Sequence, residues 1–419
     1  MTKKIDRRLF TILLIVFTQM LGGAIVLPVL PLYAQRDFHL SPPIITLLVS
    51  SYFIALFFAG PVLGRASDTR GRLPILIISQ IGTVISFVMM ALAVNPGLLF
   101  AARILDGITG GNIIVAQAYI TDISPRERRT EVLGFVFAAF GLGFIFGPAI
   151  GGVVSSLWGE HAAFWVAASA SLITLLITIF ALDESVSPAQ CLENRTASRT
   201  SISPLAVLGN APLLLTLIVA FITQFGLGIL QSTFSLYGDA VIFAGYAEAA
   251  RNIGIGLVLT VVGLTQFITQ TFLLRPLLRK YKEGWLVVVG SISRVLGSLL
   301  FALAVSPWIA APAAIFFPFG IGMMMPSLQS LATHTVPDQM RGGVLGVYQS
   351  AISLSVIFGT ALGGVLFALT PSLPYWVGTA TAVLAMLAAI ALRRQSEAGV
   401  FERAAAAMES KPEALTGAD

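Results

Sequence analysis

The chain has 419 residues, of which 56% are hydrophobic and only 11% charged, with a mean hydropathy of +0.89. Average proteins carry about 25% charged residues, so this chain cannot cover an aqueous surface, and a soluble globular fold is excluded. The net charge of +5 suits the basic loops of a membrane protein better than a nucleic-acid-binding face, and a single cysteine, Cys191, excludes an internal disulfide or a Cys-based metal site.

Leu, Ile, Val, Phe, Ala and Gly come in long runs rather than in alternation. That pattern predicts helices and argues against a β-barrel. A spanning helix needs about 20 apolar residues. Twelve such runs occur, at 9–33, 44–64, 74–94, 97–122, 131–155, 162–182, 211–237, 251–274, 285–305, 308–334, 341–369 and 373–393. The fold class expected is an all-α integral membrane protein with twelve transmembrane helices. The start, "MTKKIDRR" and an apolar run, looks like a secretion signal. The run continues to Tyr33 with no small-residue cleavage site, which predicts a retained first helix.

Most connections are short and hold Pro, Gly or charge, such as "DFHLSPP", "NPG" and "SPRERRT". Residues 183–210 form a longer one, rich in Ser, Thr, Pro and Asn. The expected organisation is therefore a bundle at 1–182, a linker at 183–210, a second bundle at 211–393 and a tail at 394–419. The tail reads as a solvated short helix or as disordered, with no assigned role. Placing both termini in the cytoplasm puts twenty-one of the 25 basic residues on one side. The exceptions are Arg36, Arg103, Arg251 and Arg294.

The two halves are related. A shift of 212 superposes Gln117 on Gln329, Pro125 on Pro337, Arg129 on Arg341, Gly147 on Gly359 and Gly151 on Gly363, without a gap. An internal repeat of this size suits a transporter made of two pseudo-symmetric six-helix bundles around a cavity.

Four motifs lie in the first half. "LPVLPLY" closes span 1. "GRASDTRGR", Gly64 to Arg72, sits between spans 2 and 3, read as a loop. Gly64 there would let the backbone approach a neighbouring helix, and Gly71 would supply a turn conformation. "ARILDGITGGNIIVAQAYITDISPRERR" fills span 4 and the loop after it. Arg103 and Asp106 are three apart, hence on one face, and buried ionisable groups of this kind face a cavity or a partner. Asp106 is the only acid deep in a span of the first half. A carboxyl that moves between an apolar setting and an arginine partner changes its hold on a proton, which makes it a candidate carrier, against the alternative of a static ion pair. "GFIFGPAIGG" lies in span 5. Its Gly143, Gly147 and Gly151 recur every four residues and form a small-residue packing stripe, with Gly152 adjacent and Pro148 expected to bend the helix.

Together these motifs resemble the major facilitator superfamily, and in particular its twelve-helix drug–proton antiporters, similar to tetracycline-efflux proteins. The resemblance implies a latch on the cytoplasmic side. Asp68 would face the N-terminus of helix 11, and Arg72 would reach Asp122. In the second half "PLLRKYKEG" places Lys280 where the acid would stand, so no second latch is expected. The resemblance makes the span 5 motif an antiporter signature and links Arg103 to proton movement. It also implies a monomer, protons and small molecules as partners beside membrane lipids, and a bacterial inner membrane. Many tetracycline exporters carry an Asp in helix 1 where this chain has Gln19.

The remaining interior polar residues are mostly amides. Gln19, Asn112, Gln117, Gln224, Gln231 and Gln329, with Tyr348, are the candidate substrate contacts, and an apolar cavity with scattered amides suits a hydrophobic compound. For each alone, helix–helix bonding or packing explains the residue as well. No nucleotide-binding, metalloprotease or other enzyme motif occurs, and no cofactor or metal is expected. Three readings stay open: proton-coupled efflux of amphipathic compounds, a proton-independent facilitator, and a lipid flippase or receptor of the same shape.

Overall fold

The computed structural model describes residues 7–110, 112–123, 129–186, 191, 209–337 and 340–409. Twelve helices in it are long and apolar enough to cross a membrane. In chain order they are α1 (Arg7–Arg36), α2 (Pro42–Arg70), α3 (Arg72–Ala91), α4 (Pro96–Thr109, continued by Asn112–Ile123), α5 (Arg129–Trp158) and α6 (Glu160–Ala181). Then follow α7 (Ala211–Tyr237), α8 (Glu248–Lys280), α9 (Glu283–Ala302), α10 (Pro307–His334), α11 (Arg341–Leu369) and α12 (Leu373–Glu397). A short α13 (Val400–Glu409) ends the described chain.

The connectors explain the starts. Proline stands in the first turn of α2, α4, α10 and α12, where its missing N–H is no loss and its fixed φ suits a helix. Asn95 caps α4, its Oδ1 accepting from Leu98 N at 2.9 Å. Asn210 caps α7 in the same way at 3.1 Å, and its amide also donates to Thr335 O at 2.9 Å. Single turns of π-helix extend α7 (Gly238–Ile242) and interrupt α8 (Thr269–Leu273).

The chain divides into two compact units. One holds Met1–Ala197 with Ser232–Leu264, the other Ser198–Gln231 with Thr265–Asp419. In the first, α1 packs along α5 and α6, α3 against α4 and α6, and α2 against α4. Its core includes Ile12, Ile15, Leu76, Val115, Tyr119 and Leu182. In the second, α9 packs against α10 and α12, over a core that includes Leu213, Val287, Leu328 and Leu392.

Two expectations are corrected. The segment Gly64–Arg72 is not a loop. Helix α2 runs on through Arg70, Gly71 alone is non-helical, and α3 begins at Arg72. Arg, Ala, Ser and Asp all tolerate a helix, so the charge cluster did not end one. The tail is not solvated throughout: Phe401 of α13 is 1% exposed and belongs to the apolar core of the second unit. One aromatic among alanines is enough to anchor a short amphipathic helix. Most of the 183–210 connection and residues 410–419 lie outside the described residues.

Candidate functional site

Three polar centres and one glycine seam sit within the first unit. The first centre is the joint between α2 and α3. Arg72 is 7% exposed. Its Nη1 donates to Asp68 at 2.5 Å and to Ser67 Oγ at 2.8 Å, and its Nε donates to Asp122 at 2.9 Å. Gly71 has φ +100° and ψ 154°, a region nearly reserved for glycine. The turn frees the first N–H groups of α3, and a carboxylate meets them. Glu184 accepts from Arg72 N at 2.9 Å and from Leu73 N at 3.1 Å, where the helix dipole favours negative charge. A Cβ on Gly71 would lie 3.0 Å from the Glu184 carboxyl carbon. Glu184 escaped the sequence reading. Its only signal was an acid just past α6, with no basic residue nearby to explain it. Gly64, by contrast, has its nearest neighbour, Ile114, at 4.0 Å, ordinary contact rather than close approach.

The second centre is in α4. Arg103 Nη1 donates to Asp106 Oδ2 at 2.9 Å. Both residues are buried, at 6% and 2% exposure. The Arg103 guanidinium lies over the Tyr52 ring, 4.5 Å from its centre, and its Nε has no hydrogen-bond partner among the described residues. The pair is held close to α2 because Gly107 has no side chain: a Cβ there would be 2.7 Å from Ala55 Cβ. The arrangement holds one compensated charge pair in an apolar setting, with a donor to spare.

The third centre was not read from the sequence. Arg36, at the end of α1, donates to Glu160 and Glu248 at 2.8 Å each and to Asp239 at 2.7 Å. Arg251 joins Asp239 at 3.3 Å. The cluster ties α1 and α6 to the π-turn after α7 and to the start of α8. Two of the four basic residues that broke the positive-side count, Arg36 and Arg251, are thus both neutralised by acids. The acids stand 124, 203 and 212 residues from Arg36, and one sequence without spatial information cannot join them.

The seam is α5. Gly143, Gly147 and Gly151 all face α1. A Cβ on Gly143 would be 2.6 Å from Phe17 O, on Gly147 2.9 Å from Leu21 O, and on Gly151 2.9 Å from Ile25 O. The neighbouring face meets α8. A Cβ on Gly152 would be 2.6 Å from Asn252 O, on Gly256 2.5 Å from Pro148 O, and on Gly263 2.9 Å from Phe144 O. Nothing in the sequence tied Gly256 or Gly263 to α5. Helix α5 is therefore gripped on two sides with backbone close to backbone. In the second unit Gly359 of α11 repeats the relation, meeting Ile229 N of α7 at 3.2 Å.

The expected substrate contacts scatter. Gln19 is 9% exposed and lines a small cavity with Thr18, Gln80, Thr83, Ser171 and Thr174. The cavity has about 10 Å³ of room for a water's centre, roughly what one water needs. Gln80, Thr83 and Ser171 have side-chain atoms buried there without a partner among the described residues. Gln117, Gln224 and Gln231 are half-buried and Gln329 is exposed; Gln224 Oε1 is buried and has no hydrogen-bond partner among the described residues. Tyr348 is 3% exposed in the apolar core, its hydroxyl donating to Met325 O at 3.3 Å, as a packing residue does. The Asn112 side chain lies outside the described residues.

Twelve spans, two repeats and buried ion pairs in the first repeat define a polytopic membrane transporter. Comparison with known proteins then fixes the lineage. The Major Facilitator Superfamily model matches residues 12–250 and 232–415, and the chain belongs to that superfamily. It is 32% identical over 409 residues to the tetracycline resistance protein, class C, of Escherichia coli, covering 96% of this chain and 99% of the relative. Multidrug resistance protein 2 of Bacillus subtilis (strain 168) is 28% identical over 382 residues, covering 88% and 91%. Among solved structures, the nucleoside transporter NupG superposes with a TM-score of 0.75 at 15% identity, covering 93% of this chain and 98% of that one. At that identity the likeness speaks for the fold alone.

Proposed function

We propose that this chain exports small amphipathic compounds across a bacterial cytoplasmic membrane by alternating access, in exchange for protons. Near-full-length similarity to tetracycline and multidrug resistance proteins supports the export of compounds of that kind. The observation that carries proton coupling is the Arg103–Asp106 pair, 2.9 Å apart and almost wholly buried. A buried carboxylate in lipid is tolerated when paired. Breaking that pair as α4 shifts would change its protonation state. In this reading Asp68, Arg72 and Asp122 steady the cytoplasmic ends of α2 and α3, and the Arg36 cluster closes the opposite ends. The antiporter seam Gly143, Gly147, Pro148, Gly151 and Gly152 keeps α5 tight on its neighbours. Both termini are cytoplasmic, the bundles at 1–182 and 211–393 are the moving parts, and the working unit is a monomer.

The test is uptake into inverted vesicles energised by a proton gradient, with tetracycline or a fluorescent cationic dye as probe. Wild type collapses part of the gradient when the probe is added, and Asp106→Asn does not. Equal gradient collapse in both would remove Asp106 as carrier. A second reading, facilitation without protons, is favoured by Gln19, an amide that cannot carry one. It predicts probe flux with no change in vesicle pH.

A further inference from the structure

Among the described residues, the buried and half-buried arginines of the spans are, with one exception, answered by acids. Arg36 faces three, Arg72 faces two, Arg103 faces Asp106 and Arg251 faces Asp239. Arg294 of α9 is the exception. It is 1% exposed and forms no ion pair among the described residues, where its Nε and Nη1 also lack any hydrogen-bond partner. A guanidinium does not give up its proton in a protein. The Phe317 ring lies 5.0 Å from its Cζ, and such a contact recovers only part of the cost of burying a charge. Charge balance therefore calls for an anion.

The nearest cavity is small and lies past Gly226 rather than against the guanidinium itself. Gly226 of α7 lies against the guanidinium: a Cβ there would be 2.8 Å from Nη2. Beyond it opens a cavity lined by Gly226, Ser298, Phe317 and Tyr375, with about 10 Å³ of room for a water-sized centre. Ser298 stands one turn from Arg294 on α9 and supplies a hydroxyl to the same cavity. All these residues belong to the second unit.

We infer that Arg294, with Ser298, forms a binding site for a small monovalent anion, chloride or a single carboxylate group, inside the second unit. The guanidinium N–H groups and the Ser298 hydroxyl are the donors, and one negative charge matches one positive charge. Phosphate or sulfate would bring a second negative charge against a single guanidinium. The site requires no transport and does not depend on proton coupling.

The test uses the full chain in nanodiscs. Sodium methanesulfonate, which carries no carboxylate, is replaced by sodium chloride at constant ionic strength, and thermal unfolding is followed. Wild type shows a saturable rise in midpoint, on the order of 2 °C, and Arg294→Gln shows none. An equal rise in both proteins, or no rise in wild type, overturns the site. Should Arg294→Gln not fold, crystals of wild type grown in bromide decide: anomalous signal within hydrogen-bonding distance of the guanidinium supports the site, and signal elsewhere alone overturns it. Formate and benzoate separate the sources. A response to chloride and formate only reads a free ion, and a matching response to benzoate reads a carboxylate carried on a larger molecule.

Discussion

At Gly147 a single added methyl group would meet the Leu21 carbonyl oxygen at 2.9 Å, closer than carbon and oxygen can rest. The stripe is defined by such positions, and not all glycines share it. Gly346 and Gly378 have nothing within 4 Å of an added Cβ. Gly147→Leu is expected to destabilise the folded protein by about 1–3 kcal/mol, or more if α5 cannot shift, read as a lower unfolding midpoint in detergent. Gly346→Ala, in helix α11, should be neutral or slightly stabilising, since alanine is the better helix former by about 1 kcal/mol. Equal effects at the two sites would mean that the seam does not limit packing. The stripe was legible in the sequence because spacing by four is visible without coordinates. Its second partner was not: Gly256 and Gly263 are seven apart, two turns on one face, and nothing in the sequence says which helix that face meets.

Helices were the most legible level, because the length of apolar run that lipid demands leaves few alternatives. Their ends were less so. The charges of Gly64–Arg72 do not mark the end of α2, since backbone hydrogen bonding continues through charged residues as readily as through apolar ones. Where the chain does turn, at Gly71, the new helix needs an acceptor for its first N–H groups, and Glu184 meets two of them. Glu184→Gln keeps an acceptor oxygen and loses the charge. The expected cost is about 0.5–2 kcal/mol, seen as a lower unfolding midpoint and faster amide exchange at Leu73. Unchanged exchange at Leu73 would leave Glu184 without a capping role. The α4 pair was readable from its spacing of three. Its Tyr52 roof was not, because that ring comes from α2.

At the scale of the molecule, the Arg72 and Arg36 clusters act as opposed restraints in the proposed cycle. Asp68→Asn weakens one, and Arg36→Gln removes the other while leaving three acids facing one arginine. Spin labels at the ends of the helices, read by double electron–electron resonance, should therefore report shifts of opposite sense for the two variants. Shifts of the same sense, or none, would end the idea that the clusters compete. The repeat of 212 residues was visible because glycine and proline positions keep their register. The Arg36 cluster was invisible for the complementary reason: carboxylates in short connectors carry no periodicity.

A connector of one residue has no slack. Because Gly71 is all that separates the 29 residues of α2 from the 20 of α3, torque on either shaft passes directly to the other, like a crank turning on a rigid pin. A Gly-Ser pair inserted after Gly71 would leave both shafts intact while letting one spin freely, and whether compound and gradient remain geared together after that change is a purely mechanical question.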